Sequence, residues 1–294
     1  MRKENMENKM DESISLTLKD RMFVELKKSK TAQFGLVIIV LFIFMAIFAP
    51  LISPYNPLDQ DISQRLRPPS KTHLFGTDQL GRDVLSRVIY GSRISLIVGF
   101  SAVFISGIIG IALGMISGFY GGKIDTVIMR LVDIQLSLPF ILLAIAIMAV
   151  LGPGLKNIIL VLGITGWVIY ARIVRGETLK TKNIDFVKAA VALGNSDIKI
   201  LYTHVLPNVL ASAIVVATLE MARMIIMEAA LSFLGLGIQP PIPSWGSMVA
   251  DGRDYITNAW WLITFPGLAI MITVLGINLF GDWLRDSLDP KLRL

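Results

Sequence analysis

The chain has no cysteine, only two histidines in 294 residues, and charged residues at 17%, well below the roughly 25% of ordinary soluble domains. Without cysteine there is no disulfide framework, no thiolate zinc site and no thiol nucleophile, and cysteine usage says nothing of compartment. His73 and His204 are far apart, and neither has a second ligand beside it, so no histidine metal cage and no metal site are expected. A G-x-x-x-x-G-K-[ST] phosphate loop is missing as well, so work driven by a nucleotide must draw on another chain, or else on an ion gradient. The net charge of +6 does not by itself indicate nucleic acid, because the positive charges must first be placed relative to a membrane.

What stands in place of charge is hydrophobic length. Hydrophobic residues make up 54% of the chain, and five stretches carry no acidic, basic or histidine side chain: Phe34 to Ile52, Ile94 to Tyr120, Ile134 to Leu151, Ile158 to Ala171 and Trp260 to Phe280. A helix needs about 20 mostly apolar residues to cross the hydrocarbon core. Four of the stretches meet that with little or no extension, and the fourth in order needs a few flanking residues. A sixth run, Val205 to Leu236, is interrupted only by Glu220, Arg223 and Glu228. The sequence therefore predicts an all-α polytopic membrane protein with six transmembrane helices.

The expected layout is an N-terminal segment 1–33, a first span 34–52, an outer loop 53–93 with an interfacial helix, a five-helix core 94–281 containing a long loop at 183–207, and a tail 282–294. Lysine and arginine number nineteen on the side of the two termini and eight on the other. By the positive-inside bias both termini lie in the cytoplasm. The first apolar run starts too late and runs too long for a signal peptide, and Lys27, Lys28 and Lys30 anchor its cytoplasmic end.

Gly110, Gly114 and Gly118, with Gly107 before them, form a stripe along which another backbone can approach closely. Packing within this chain is favoured over a subunit contact. Pro139 and Pro266 are expected to kink the third and sixth spans. A charge at the centre of a membrane helix costs at least roughly 2.5 to 3.5 kcal/mol, so Glu220, Arg223 and Glu228 are candidates for a translocation path. Glu220 and Arg223 are three apart and can pair on one helix face, which is the structural alternative. The expectation is that at least one of Arg223 and Glu228 faces a solute path.

The loop between the fourth and fifth spans, NIDFVKAAVALGNSDIKILYTHVLPN from Asn183 to Asn208, is patterned. Phe186, Ala189, Ala190 and Leu193 recur at i, i+3, i+4 and i+7, the mark of one apolar helix face. Gly194 can stop that helix with a positive φ. Ser196 can cap a second helix, whose Ile198, Leu201, Tyr202 and Val205 repeat the spacing until Pro207 marks the start of the span. A helix-turn-helix across the cytoplasmic face is predicted, with an amphipathic helix resting on lipid headgroups as the alternative.

These residues resemble a family. Lys188-Ala189-Ala190, three residues, Gly194, nine residues, then His204-Val205-Leu206-Pro207 is similar to the EAA loop of ABC importer permeases, E-A-A-x3-G-x9-I-x-L-P. Lys188 stands where Glu is usual, so no contact needing a negative charge there carries over. His204 stands where Ile is usual, as in the peptide and nickel subfamily, in which H-x-L-P-N is common. Phe75-Gly76-Thr77-Asp78, Gly81-Arg82-Asp83, Ser86-Arg87 and the segment Leu231 to Gly246 resemble outer parts of the C-type permease of dipeptide and oligopeptide importers. The likeness runs from about Lys30 to the C-terminus.

The resemblance implies a permease subunit in a bacterial cell (inner) membrane, with no catalytic residue and no cofactor of its own. ATP and Mg are expected on one or two kinds of cytoplasmic ATPase subunit, which grip the coupling loop at Phe186, Lys188, Ala189, Ala190, Leu193, Gly194, His204 and Pro207. A second related permease, an extracytoplasmic substrate-binding protein and membrane lipid are the other implied partners, and nucleic acid is not one. Di- or oligopeptides are the expected cargo; nickel, a metallophore or glutathione is the alternative within the family. An ion-coupled secondary transporter is the rival class. The gathering of His73, Asp78, Arg82 and Asp83 in the outer loop reads as caps and turns instead of an active site.

Overall fold

A computed structural model of the chain describes residues 24–288. Expectations for residues 1–23 of the N-terminal segment and 289–294 of the tail lie outside them. Among the described residues the regular structure is helical, apart from one isolated antiparallel bridge between Thr77 and Asp83.

Helix α1, Lys30–Ile52, begins four residues before Phe34 because Ser29 caps it, Oγ accepting from the Ala32 amide at 3.3 Å. One face, with Gly35, Ile38 and Phe42, is buried in the bundle. The other leaves Phe34, Val37, Phe44, Ile47 and Leu51 exposed. A continuous apolar face of that length suits hydrocarbon and not water.

Helix α2, Val84–Tyr120, is a single run of 37 residues, about 55 Å long. The separate interfacial helix expected within 53–93 is thus its first ten residues, and the loop ends at Asp83. Asp83 caps the helix through Ser86, and Gly91 does not break it because Trp245 packs on that glycine.

Helix α5, Leu155–Lys182, runs parallel to α2. Gly110 lies against Trp167 and Tyr170, Gly114 against Ala171 and Val174, and Gly118 against Arg175 and Thr178. A Cβ at Gly110 would fall 2.4 Å from the Trp167 carbonyl oxygen, and one at Gly114 would fall 2.7 Å from that of Ala171. The glycine stripe is used inside the chain, backbone to backbone.

Because α2 and α5 are parallel, the intervening helices α3, Gly122–Leu136, and α4, Phe140–Leu151, must return the chain between their ends. These two are bent by 89° at the break. The expected kinked span over 134–151 is therefore two helices. Pro139 disfavours helical geometry at Leu138 and cannot donate to a preceding carbonyl, so the first helix ends and a second starts after it. Among the described residues five helices are long and apolar enough to cross a membrane, and the α3–α4 pair makes a sixth if it counts as one crossing.

A short helix α6, Asp185–Ala192, follows α5. Then α7, Asp197–Ile200, a π turn at Leu201–Val205 and α8, Leu206–Phe233, form one continuous run. Helix α9, Trp245–Gly252, and α10, Trp261–Leu288, complete the fold, with α10 continuing through Pro266. The core has a cluster at each end and further ones elsewhere along the bundle. Near α9, Ile38, Phe42, Val84, Val88, Trp245 and Trp261 pack together. Near α6, Phe119, Val174, Val187, Ala190, Ile200, Val205 and Val209 do so.

Candidate functional site

Two inward residues decide how α6 sits. Val187 is 0% exposed and Ala190 is also buried, both packed into the cluster with Phe119, Val174 and Ile200. Small side chains at these inward positions let the helix lie close to α5 and α8. Phe186, Lys188 and Ala189 face outward, and Leu193 is 83% exposed. Of the expected face Phe186, Ala189, Ala190 and Leu193, therefore, three members project from the bundle and Ala190 turns inward. Helical spacing identifies an apolar face but not the side on which the rest of the chain lies.

Gly194 ends the helix at φ +76°, with its amide donating to the Val191 carbonyl at 2.9 Å and the Asn195 amide to that of Ala190 at 3.2 Å. Ser196 precedes α7 but its side chain makes no capping hydrogen bond. In the second arm Ile200 and Val205 are buried, while Ile198 and Tyr202 are exposed. The expected face Ile198, Leu201, Tyr202 and Val205 is rotated because the π turn inserts a residue, the Leu206 amide donating to Leu201 five positions back. Pro207 has no amide to give Thr203 and its ring would crowd that carbonyl; the wider turn relieves both. The predicted second helix is thus the beginning of the fifth span. His204 is half-buried, its ring 5.8 Å from that of Phe186, and its carbonyl accepts from Asn208 Nδ2 at 2.6 Å.

A polar clamp underlies α6. Arg175 on α5 donates from Nε and Nη2 to the two oxygens of Asp125 on α3 at 2.5 and 2.6 Å, and Ser117 Oγ on α2 donates to the same carboxylate. Lys182 Nζ donates to the Phe119 carbonyl. Nothing in local spacing joins residues fifty positions apart, so sequence reasoning missed this clamp.

Within α8, Arg223 Nη1 lies 3.3 Å from both oxygens of Glu220. The Arg223 guanidinium stands 4.4 Å over the Phe140 ring at the start of α4, and a third of the side chain is exposed. Glu220 is buried beneath it. Glu228, the other candidate for the path, is 0% exposed, accepting from Ser232 Oγ at 2.8 Å and from Ser95 Oγ of α2 at 3.3 Å. Ser95 Oγ in turn accepts from the Trp245 amide at 3.4 Å. One donor comes from Glu228's own helix and the other from α2, so this carboxyl ties α8 to α2, and through Ser95 to the start of α9.

At the α9 end the loop motif is a lock. Gly81 has φ +74°, and a Cβ there would fall on the Asp61 carbonyl oxygen. Asp78 accepts from Arg82 Nε at 2.6 Å and from the amides of Leu80 and Arg82. Asp83 caps α2 through the Ser86 amide at 2.8 Å, and His73 Nδ1 lies 2.9 Å from its other oxygen. Asp251 of α9 approaches Arg87 Nη2 at 3.6 Å and Arg82 Nη2 at 4.0 Å. Burial pushes the Asp251 carboxyl above the ordinary aspartate value, while Arg87 and Arg82 pull it down. Trp261 Nε1 donates to the Thr77 carbonyl at 3.1 Å, and Trp245 Nε1 to that of Val88 at 3.0 Å. His73, Asp78, Arg82 and Asp83 are all engaged in caps and ion pairs. Among the described residues no group of three or more His, Asp or Glu side chains could hold a metal ion.

Comparison with known proteins agrees with this arrangement. Residues 110–294 match the family described as binding-protein-dependent transport system inner membrane component, and residues 17–69 match the N-terminal TM domain of oligopeptide transport permease C. The chain is similar to the dipeptide transport system permease protein DppC of Alkalihalophilus pseudofirmus, 48% identical with 92% of this chain and 89% of the relative covered. It is also similar to the oligopeptide transport system permease protein OppC of Bacillus subtilis, 45% identical with 95% and 92% covered. Among solved structures, a chain of the MetNI methionine ABC transporter in inward-facing conformations shares the fold at a TM-score of 0.57 and 21% identity, covering 68% of this chain and 96% of that one. An amino acid ABC transporter chain matches at a TM-score of 0.52 and 15% identity, with 67% and 92% covered. The chain belongs to the binding-protein-dependent transport system inner membrane components, the membrane permease subunits of ATP-binding-cassette importers.

Proposed function

We propose that the protein carries di- or oligopeptides, forming half of the transmembrane pathway with a second, related permease. In this reading α6 is the contact through which cytoplasmic ATPase subunits, holding ATP and Mg, drive the spans between inward-facing and outward-facing states. The α6 end of the bundle is then cytoplasmic, both termini lie on that side, and the α9 end meets an extracytoplasmic binding protein. The chain itself makes and breaks no bond.

The observation that carries the reading is the two-sidedness of α6. Val187 and Ala190 fix it to the bundle, while Phe186, Ala189 and Leu193 are left outward as an apolar knob. A rigidly held knob transmits a push because it cannot yield within its own socket. Arg223, with exposed surface at mid-helix, is the residue of the charged trio retained for the solute path.

Reconstitution of this chain with its companion permease, ATPases and binding protein into liposomes tests the proposal. Peptide uptake is expected only when all components and ATP are present. Uptake by this chain alone under a proton gradient would refute it.

A further inference from the structure

Arg223 is the one full charge on the outward face of α8. Leu219, four residues before it, and Ile226, three after it, are both exposed, and helical spacing puts all three on one side. The residue stands ten positions before the end of the helix at Phe233, about 15 Å short of it. An arginine left against lipid tails at that depth loses most of its hydration, so the face that carries it meets water or a polar partner. The guanidinium is held in place. Nη1 lies 3.3 Å from both oxygens of Glu220, which is itself buried, and the Phe140 ring covers one flat face at 4.4 Å. Nε and Nη2 make no hydrogen bond among the described residues. Both reach the surface, on a side chain that is 32% exposed. These two nitrogens project parallel N–H groups from one edge of the plane, the edge that fits the two oxygens of a carboxylate. The chain fills the same edge elsewhere, where Arg175 gives Nε and Nη2 to Asp125 at 2.5 and 2.6 Å. On Arg223 it is open.

Resting on the peptide reading of the chain, we propose that Arg223 determines specificity within the solute path by taking the terminal carboxylate of the passing peptide on its Nε–Nη2 edge. Peptides that differ in every side chain share that carboxylate, so one fixed fork serves a mixed cargo. Glu220 and Phe140 are positioning residues: the first holds Nη1 and so turns the free edge outward, and the second fixes the plane. Glu220 also offsets part of the positive charge, so the carboxylate is held weakly enough to move on. A carboxylate on the companion permease is the competing occupant of the same edge, and the test separates the two.

The test uses the assembled permease–ATPase complex in lipid nanodiscs, without binding protein, titrated calorimetrically with trialanine and with trialanine amide. Saturable binding of trialanine at roughly millimolar or tighter is expected, with the amide about tenfold weaker. Arg223→Gln should weaken trialanine about tenfold and leave the amide within about twofold, so the preference disappears. Arg223→Lys keeps a charge beside Glu220, which protects the fold, but lacks the parallel N–H pair and should retain only part of the preference. Absence of saturable trialanine binding, equal affinity for the two cargoes in the unaltered complex, or a preference that survives Arg223→Gln would each overturn the proposal. Loss of the companion permease from the purified variants would overturn it as well, since the edge would then be a joint between subunits. ATP-dependent trialanine uptake by the complete unaltered system, measured in parallel, separates failure of this site from failure of the peptide reading.

Discussion

Truncating Leu193 to alanine separates the two faces of α6. The side chain is 83% exposed in the isolated subunit, so its removal should change fold stability by no more than about 0.5 kcal/mol. If an ATPase groove covers it, full burial of a leucine contributes about 1.5 to 3 kcal/mol. Loss of about 2 kcal/mol corresponds to roughly thirty-fold weaker association. Val187→Ala is the counterpart. Val187 is 0% exposed within the chain, so deleting two methyl groups should cost about 2 kcal/mol of fold stability. The assay pairs ATPase titration against the permease heterodimer in nanodiscs with thermal unfolding of the solubilised subunit. A Leu193→Ala subunit whose ATPase affinity stays within about twofold of the original, with peptide-stimulated ATP hydrolysis intact, would show that this face is not the joint.

Other positions give equally definite expectations. Gly114→Val should cost about 3 kcal/mol or more in stability, because the new Cβ meets the Ala171 carbonyl, whereas Gly107→Ala meets only the Tyr170 ring at 3.7 Å and should be tolerated; thermal melts of the solubilised chain compare them. Glu228→Gln should keep transport per folded molecule, while Glu228→Leu strands the Ser95 and Ser232 hydroxyls and should destabilise by about 1 to 3 kcal/mol; a well-folded, transport-dead Glu228→Gln protein would restore this residue to the path. Asp83→Ala removes a cap and the partner of His73, so amide exchange in the first turn of α2 should accelerate in line with a loss of about 1 to 2 kcal/mol, and unchanged exchange would count against the cap.

The spans were legible because crossing hydrocarbon demands long uncharged runs, which a water-soluble fold seldom contains. The short helix α6 and its stop at Gly194 were legible through the fixed spacing of Ala189, Ala190, Gly194 and Pro207. What escaped depends on contacts between distant residues. Gly110 announced a close approach, but only the structure supplies Trp167 as its partner. Glu228 read as a candidate for the solute path, and Ser95, 133 positions away, gives no local sign that it will donate to that carboxyl. The break at Pro139 and the π turn before Pro207 show proline effects whose location was visible but whose size was not: one divides a helix by 89°, and the other is absorbed within it. The inward turn of Ala190 follows from which side of α6 the bundle occupies, a question no helical period answers.

Helix α2 reaches from the Trp245 contact at one end to the Phe119 contact with the α6 cluster at the other, and its glycines hold it directly to the backbone of α5. Two rods joined so tightly behave as a stiff beam. Over about 55 Å, a 10° tilt about one end carries the far end by about 10 Å, enough to swing a gate without either helix bending.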